Sequence, residues 1–226
     1  MAKNDFSAES AENYEQKCLC VLVLDVSGSM FGSPIEELNR GLQDFYKEIQ
    51  SDETTSQRLE VSLITFNNFV NTIQEPALVD NFKMPVLKAG GSTAMVDAVN
   101  EAIDKVESRK KWYKETGQPY YRPWIILMTD GEPDDGQDVN GLGARIRQET
   151  QEKKYVFLPI GIQNANMHTL NLIKGTMPPQ KLQDLKFLQF FKWLSASMGV
   201  IVNHAEGEKV NLTPDPENNW MDSFVI

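Results

Sequence analysis

The chain has 226 residues, a formal net charge of −10, 41% hydrophobic residues and 24% charged residues. That length suits one sizeable core in an ordinary globular chain, and the acidity argues against nucleic-acid binding, which draws its affinity from a basic face. No apolar run approaches the ~20 residues needed to cross a bilayer, and the polar start MAKNDFSAESAENYEQK lacks the apolar stretch of a secretory signal, so no membrane span and a cytoplasmic location are expected.

Residues 1–16 read as a polar arm. KCLCVLVLD, 17–25, is a continuous apolar run with β-branched content, the pattern of a strand buried on both faces. Its Cys18 and Cys20 share one face of that strand and are expected to be reduced core residues. SPIEELNRGLQDFYKEIQ follows as a helix, with Ser33 as N-cap, Pro34 in the first turn, and Ile35, Leu38, Leu42, Phe45 and Ile49 on one face. RLEVSLITF, 58–66, is a second strand. Asn67 and Asn68 signal a turn into FVNTIQEP, an antiparallel edge partner.

A connection then leads through GGST to a long helix over 93–113, with Met95, Val99, Ala102, Ile103 and Val106 as its apolar stripe. The basic stretch ESRKKWYK, 107–114, is expected on the solvated end of that helix. Trp112, Tyr113, Tyr120, Tyr121 and Trp124 crowd the segment before the next strand; they either pack inside or form a second contact face. WIILMTDG, 124–131, is another buried strand, followed by a helix near 139–153, the strand KYVFLPIGI, a short helix MHTLNLI, a short edge strand within PQKLQDL, and a core helix FLQFFKWLSASM. His168 and His204 are expected at the surface or at helix ends. Residues 201–226 read as an acidic tail whose Trp220 and Phe224 dock on the domain or on a partner. Alternating strands and helices imply an α/β three-layer sandwich over 17–200, with a mostly parallel central sheet, one antiparallel edge strand and helices on both faces.

In such a sheet, ligands bind beyond the carboxyl ends of the strands. Three segments arrive there bearing oxygen: Asp25-Val26-Ser27-Gly28-Ser29, Gly90-Gly91-Ser92-Thr93 and Thr129-Asp130-Gly131. Asp25 and Asp130 supply carboxylates, and Ser27, Ser29 and Thr93 supply hydroxyls. An all-oxygen set suits a hard divalent cation, Mg²⁺ first, with Mn²⁺ or Ca²⁺ as alternatives, and disfavours zinc. Gly28 is expected to let the chain bend so that alternate side chains share one hollow. The set leaves a coordination position open, which a carboxylate from another molecule can fill. Asp134, Asp135 and Asp138 lie in a loop without EF-hand spacing and read as loop or helix N-terminal acids near the site.

The ordered set Asp25-x-Ser27-x-Ser29, Thr93 and Asp130, with GGST and MTDGEP around it, resembles the metal-ion-dependent adhesion site of von Willebrand factor A domains. The resemblance implies that Ser27, Ser29 and Thr93 ligate the metal directly or through water, that Asp25 and Asp130 act directly or through water, and that a partner Asp or Glu completes the shell. Gly28, Met30, Gly91, Ser92, Gly131 and Glu132 would then line the partner-binding rim. VSGSM and MTDGEP are also similar to bacterial tellurite-resistance-associated, TerY-like proteins, which implies a stress-response or phage-defence setting and a kinase-like protein or a phosphatase as partner.

An enzyme is not expected. There is no G-x-S-x-G elbow, no phosphate-binding loop and no dinucleotide fingerprint, and an aspartate-nucleophile phosphatase would want an acid where Ser27 stands. The alternatives are a metal-dependent hydrolase using Asp25 or Asp130 as base, and a structural subunit of a larger complex with an incidental metal.

Overall fold

Alternate residues of the first strand feed two different cores. In the computed structural model, which describes residues 13–81, 83–203 and 220, β1 (Cys18–Asp25) is buried along its whole length. Cys18, Cys20, Leu22 and Leu24 enter one core with α1 (Ser33–Ser51) and α6 (Phe187–Asn203). Leu19, Val21 and Val23 enter the other with α3 (Met95–Thr116), α4 (Val139–Gln151) and α5 (Met167–Leu172). The side-chain period of two along a strand makes this division, and it explains why the strand reads as an uninterrupted apolar run.

Among the described residues the sheet has six strands in the order β3-β2-β1-β4-β5-β6. Here β2 is Leu59–Phe66, β3 Val70–Leu78, β4 Trp124–Thr129, β5 Val156–Gly161 and β6 Gln180–Lys181. All neighbours are parallel except β2 and β3, which form the antiparallel edge pair. Both cysteines are free and buried, and burial pushes the Cys18 thiol up to about 12.

Three local expectations change. Ser33 is the first residue of α1, and Gly32, at φ 85°, takes the capping position. A short helix α2 (Glu53–Arg58), which has no apolar period to announce it, starts where the Asp52 carboxylate accepts from the Thr55 N–H at 2.6 Å. The basic stretch at 107–114 is solvated only in part: Lys111 and Lys114 are exposed, whereas Arg109 and Lys110 are buried. Arg109 is 2% exposed and makes a two-pronged ion pair with buried Glu60, Nε to Oε2 at 2.8 Å and a terminal nitrogen to Oε1 at 2.7 Å. The Tyr113 hydroxyl donates to the same carboxylate, and the guanidinium lies 4.0 Å from the centre of the Trp112 ring.

The crowded aromatics belong to this packing. Trp112, Tyr113 and Trp124 are buried, and Tyr113 stacks on Tyr120 with ring centres 5.0 Å apart. Helix α6 runs on to Asn203, beyond the FLQFFKWLSASM stretch that marked it in the sequence. Trp220 docks on the domain itself, with its ring 4.9 Å from Phe190 and 5.1 Å from Trp193, and its carbonyl accepts from Gln183 N–H. His204 and Phe224 lie outside the described residues, and His168 is exposed at the start of α5. No described helix is long and apolar enough to cross a membrane.

Candidate functional site

The order of the strands reverses at β1 and β4: the chain leaves β1 toward β2 on one side and returns to β4 on the other. The crevice beyond the carboxyl ends of these two strands is where the site sits. Asp25 ends β1, and Asp130 directly follows β4.

Asp25 is fully buried. Its Oδ1 accepts from the Ser27 N–H at 2.8 Å and its Oδ2 from the Thr129 hydroxyl at 2.5 Å. Burial pushes its carboxyl above the ordinary range; hydrogen bonds from Ser27 and Thr129 oppose that shift, and the charge of Asp130 adds to it. Asp130 is also raised, mainly by burial, with the Ser29 hydroxyl acting against it.

A chain of oxygens joins the strand ends. Ser27 Oγ lies 3.0 Å from Ser29 Oγ, and the Ser29 hydroxyl donates to Asp130 Oδ1 at 2.7 Å. Ser27 is buried, whereas Ser29 is exposed and Asp130 partly so, so the row runs from the interior to the surface. Thr93 arrives from the third segment. A Cβ placed on Gly131 would lie 3.5 Å from Thr93 Oγ1 and 3.8 Å from Asp25 Oδ2. Gly131 therefore leaves open the space between the threonine hydroxyl and the buried carboxylate. All five residues expected to hold metal meet at this one crevice.

The loops are locked by backbone contacts. Ser27 is extended and hands over to a single 3₁₀ turn, Gly28–Met30. Gly28 is not a hinge with left-handed dihedrals. It allows close approach: its N–H donates to Gly91 O at 2.9 Å, and a Cβ there would stand 3.3 Å from the same oxygen. Gly91 does adopt positive φ, 94°, and a Cβ on it would overlap Asn68 Oδ1 at 1.9 Å. That same Oδ1 accepts from the Ser92 N–H.

Beyond Ser92, Asp134 and Thr93 exchange hydrogen bonds: Thr93 N–H donates to the Asp134 carboxylate, and Asp134 N–H donates to Thr93 O. The Gln137 amide bridges Thr93 O to the Val96 N–H at the start of α3. Asp138 caps α4 by accepting from Gly141 N–H. Asp134 and Asp138 are thus loop and helix-cap acids.

The expected rim divides. Gly28, Gly91 and Glu132 are exposed, Ser92 and Gly131 partly so, and Glu132 accepts from the Asn166 amide at 2.5 Å. Met30 is completely buried in the core beneath α1, because the 3₁₀ turn swings its side chain inward, so it cannot touch a partner. The next residue, Phe31, is 79% exposed. Thr129, Asn67, Asn68 and Gln137 were not among the expected site residues. Only Thr129 carried a signal, as the hydroxyl residue that ends a buried strand beside Asp25.

The donor set fits a small hard cation. The fit rests on donor type, all oxygen; the 3.0 Å and 2.7 Å separations are those of hydrogen bonds between the side chains. Among the described residues no three His, Cys, Asp or Glu side chains cluster as metal ligands, so the crevice is distinguished by hydroxyls.

Residues 20–186 match the von Willebrand factor type A domain, and the chain belongs to that family, whose members are generally protein-binding adhesion modules and usually not catalytic. The fold is shared with solved structures of low identity. The ArnB paralog VWA2 from Sulfolobus acidocaldarius is 18% identical, with a TM-score of 0.54 over 81% of this chain and 45% of that one. The PilB minor pilin from Streptococcus sanguinis, as its D319A mutant, is 13% identical, with a TM-score of 0.58 over 85% and 62%. The vWF domain of the type V pili tip protein Mfa5 from Porphyromonas gingivalis is 11% identical, with a TM-score of 0.56 over 87% and 99%. The chain spans less than two thirds of the first two proteins. A search of curated protein sequences returned no match.

Proposed function

We propose that the chain is a divalent-metal-dependent protein-binding module, carried by residues 17–200, that captures an Asp or Glu carboxylate of a partner protein. The observation that carries this reading is the row of oxygens from buried Asp25 through Ser27 and Ser29 to Asp130, with Thr93 facing it across Gly131. Ser27, Ser29, Thr93, Asp25 and Asp130 would hold the cation, Mg²⁺ first. The bound cation supplies a positive charge to which an acidic side chain can add. The chain's own groups fix the geometry: Thr129 and the Ser27 N–H orient Asp25, and the Asp134 and Gln137 contacts hold the Thr93 loop against it.

Likeness to TerY-like proteins supports a bacterial stress-response or phage-defence setting in the cytoplasm, with a kinase-like protein or a phosphatase as partner. No nucleic acid is involved, consistent with the net charge of −10.

Thermal unfolding in EDTA, then in Mg²⁺, Mn²⁺ or Ca²⁺, tests the reading. At about 100 times Kd a ligand stabilises by ~2.7 kcal/mol, which for a domain of this size raises Tm by roughly 5–10 °C. The rise should vanish in Asp25→Ala. A wild type indifferent to all three metals, even with excess glutamate present, would overturn the proposal.

A further inference from the structure

The rim of the cation site is chemically lopsided. On the β4 side, the loop after Gly131 carries Glu132, Asp134, Asp135 and Asp138, all exposed. On the β1–β2 side, the segments 26–33, 67–69 and 89–93 carry no charged residue at all. They carry instead two of the most exposed large apolar side chains among the described residues, Phe31 at 79% and Phe69 at 71%.

These two phenylalanines come from loops that meet. Phe31 follows the turn whose Gly28 N–H donates to Gly91 O, and Phe31 N–H closes that turn on Gly28 O. Phe69 follows the asparagines that grip the other side of the same glycine loop: Asn67 donates to Gly90 O at 2.8 Å, and Asn68 accepts from Ser92 N–H at 3.1 Å. Phe69 O accepts from Asn67 N–H, which closes the hairpin. Each Phe thus leaves a loop pinned to the Gly90–Ser92 segment, beside the crevice. A phenylalanine is ordinarily buried, and aromatic side chains at an exposed rim are the usual anchors of protein interfaces.

Resting on the reading of the crevice as a cation site, we propose that Phe31 and Phe69 form an apolar shoulder of that site, and that the occupant is a partner-protein segment carrying its acid next to a large apolar side chain. The acidic β4 loop repels a carboxylate approaching from its side, so the approach is over the uncharged shoulder. A flanking Leu, Met, Phe or Trp then lands on the phenylalanines as the carboxylate reaches the cation.

The test uses a displayed library of random peptides, selected on the immobilised full chain in Mg²⁺ and released with EDTA. The released peptides should be enriched in Asp or Glu with an apolar residue beside it. Their affinity should fall about tenfold or more for the double variant Phe31→Ser, Phe69→Ser, while the Mg²⁺-induced rise in Tm is unchanged. Acid-bearing peptides with polar or basic neighbours, or affinity undiminished by the double variant, would sink the shoulder and leave the cation reading standing. If EDTA releases no acid-enriched peptides while Mg²⁺ still raises Tm, carboxylate capture and the shoulder fall and the cation site stands.

Discussion

Thr129 and Asp25 end adjacent parallel strands, and the threonine hydroxyl donates to Asp25 Oδ2 at 2.5 Å. Leu24 pairs with Met128, so the next residue on each strand falls side by side. The contact is sealed from water: both residues are fully buried.

That burial sets the cost of losing it. A buried acceptor stripped of its donor loses about 1–3 kcal/mol. Thr129→Val keeps the shape and the strand propensity but removes the hydroxyl. It should lower unfolding free energy by about 1–3 kcal/mol in urea titrations carried out in EDTA. Thr129→Ser, which retains the donor, should recover most of the loss. Equal losses in Val and Ser would mean that the methyl packing matters and the hydrogen bond does not.

Gly91 offers a second, purely steric prediction. Its φ of 94° and the 1.9 Å approach of Asn68 Oδ1 to a would-be Cβ leave no room for alanine. Gly91→Ala should destabilise by more than the ~1 kcal/mol of a glycine-to-alanine change at a mismatched backbone. It should also weaken Mg²⁺ binding, because the Gly28–Gly91 contact aligns the serines with the Thr93 loop. Adding Asn68→Gly should relieve the overlap but not the backbone strain, so it should restore only part of the stability. Isothermal titration with Mg²⁺ beside thermal melts reads both effects.

These two residues show what the chain's order of letters reveals and what it hides. The strands were legible because both faces of the sheet are covered, which turns β1 and β4 into unbroken apolar runs. The candidate site was legible because its oxygens sit at alternate positions after such runs. Gly28 was assigned to the right place for the wrong reason: its lack of a side chain serves contact with Gly91 O, a partner more than sixty residues away, and no local pattern encodes that. Met30 looked like rim because it follows Ser29, yet one tight turn folds it under the helix. Arg109 looked solvated because it lies in a basic run, but Glu60, a lone acid within an apolar strand, draws it inward. Periodicity reports which face a residue occupies, whereas a buried ion pair depends on two distant positions at once.

The Glu60–Arg109 pair makes a quantitative case of that. Breaking a buried pair from one side costs about 3–5 kcal/mol, whereas replacing both partners with apolar groups is often near neutral. Glu60→Gln should therefore be strongly destabilising, since it removes the carboxylate that serves both Arg109 and the Tyr113 hydroxyl. Glu60→Leu with Arg109→Met should lose less than Glu60→Gln alone. A double-mutant cycle by chemical denaturation measures the coupling. Additive losses would show that the two side chains are independent. Mg²⁺ affinity should be unchanged throughout, because the pair lies by the start of β2, at the far end of the sheet from the crevice.

Trp220 gives the last prediction. It is fully buried against Phe190 and Trp193 of α6, and its carbonyl takes the Gln183 N–H at 2.9 Å. Gln183 begins a stretch in which Asp184 and Leu185 both adopt positive φ, 40° and 59°. Backbone held in that region costs of order 1–3 kcal/mol per residue and persists only where neighbours enforce it. Trp220 is one such neighbour, linking the strained turn to the helix that follows it. Trp220→Ala should remove the ring packing that holds the residue 220 carbonyl on the Gln183 N–H, although the carbonyl itself remains. Truncating a buried aromatic costs about 3–5 kcal/mol when the loss is global, but a single contact can also open locally. Hydrogen exchange should therefore accelerate at Gln183 and along α6 while β1 and β4 keep their protection, with a fall in Tm smaller than the full truncation cost. Unchanged exchange at Gln183 in the variant would mean that the turn holds its shape without the tryptophan.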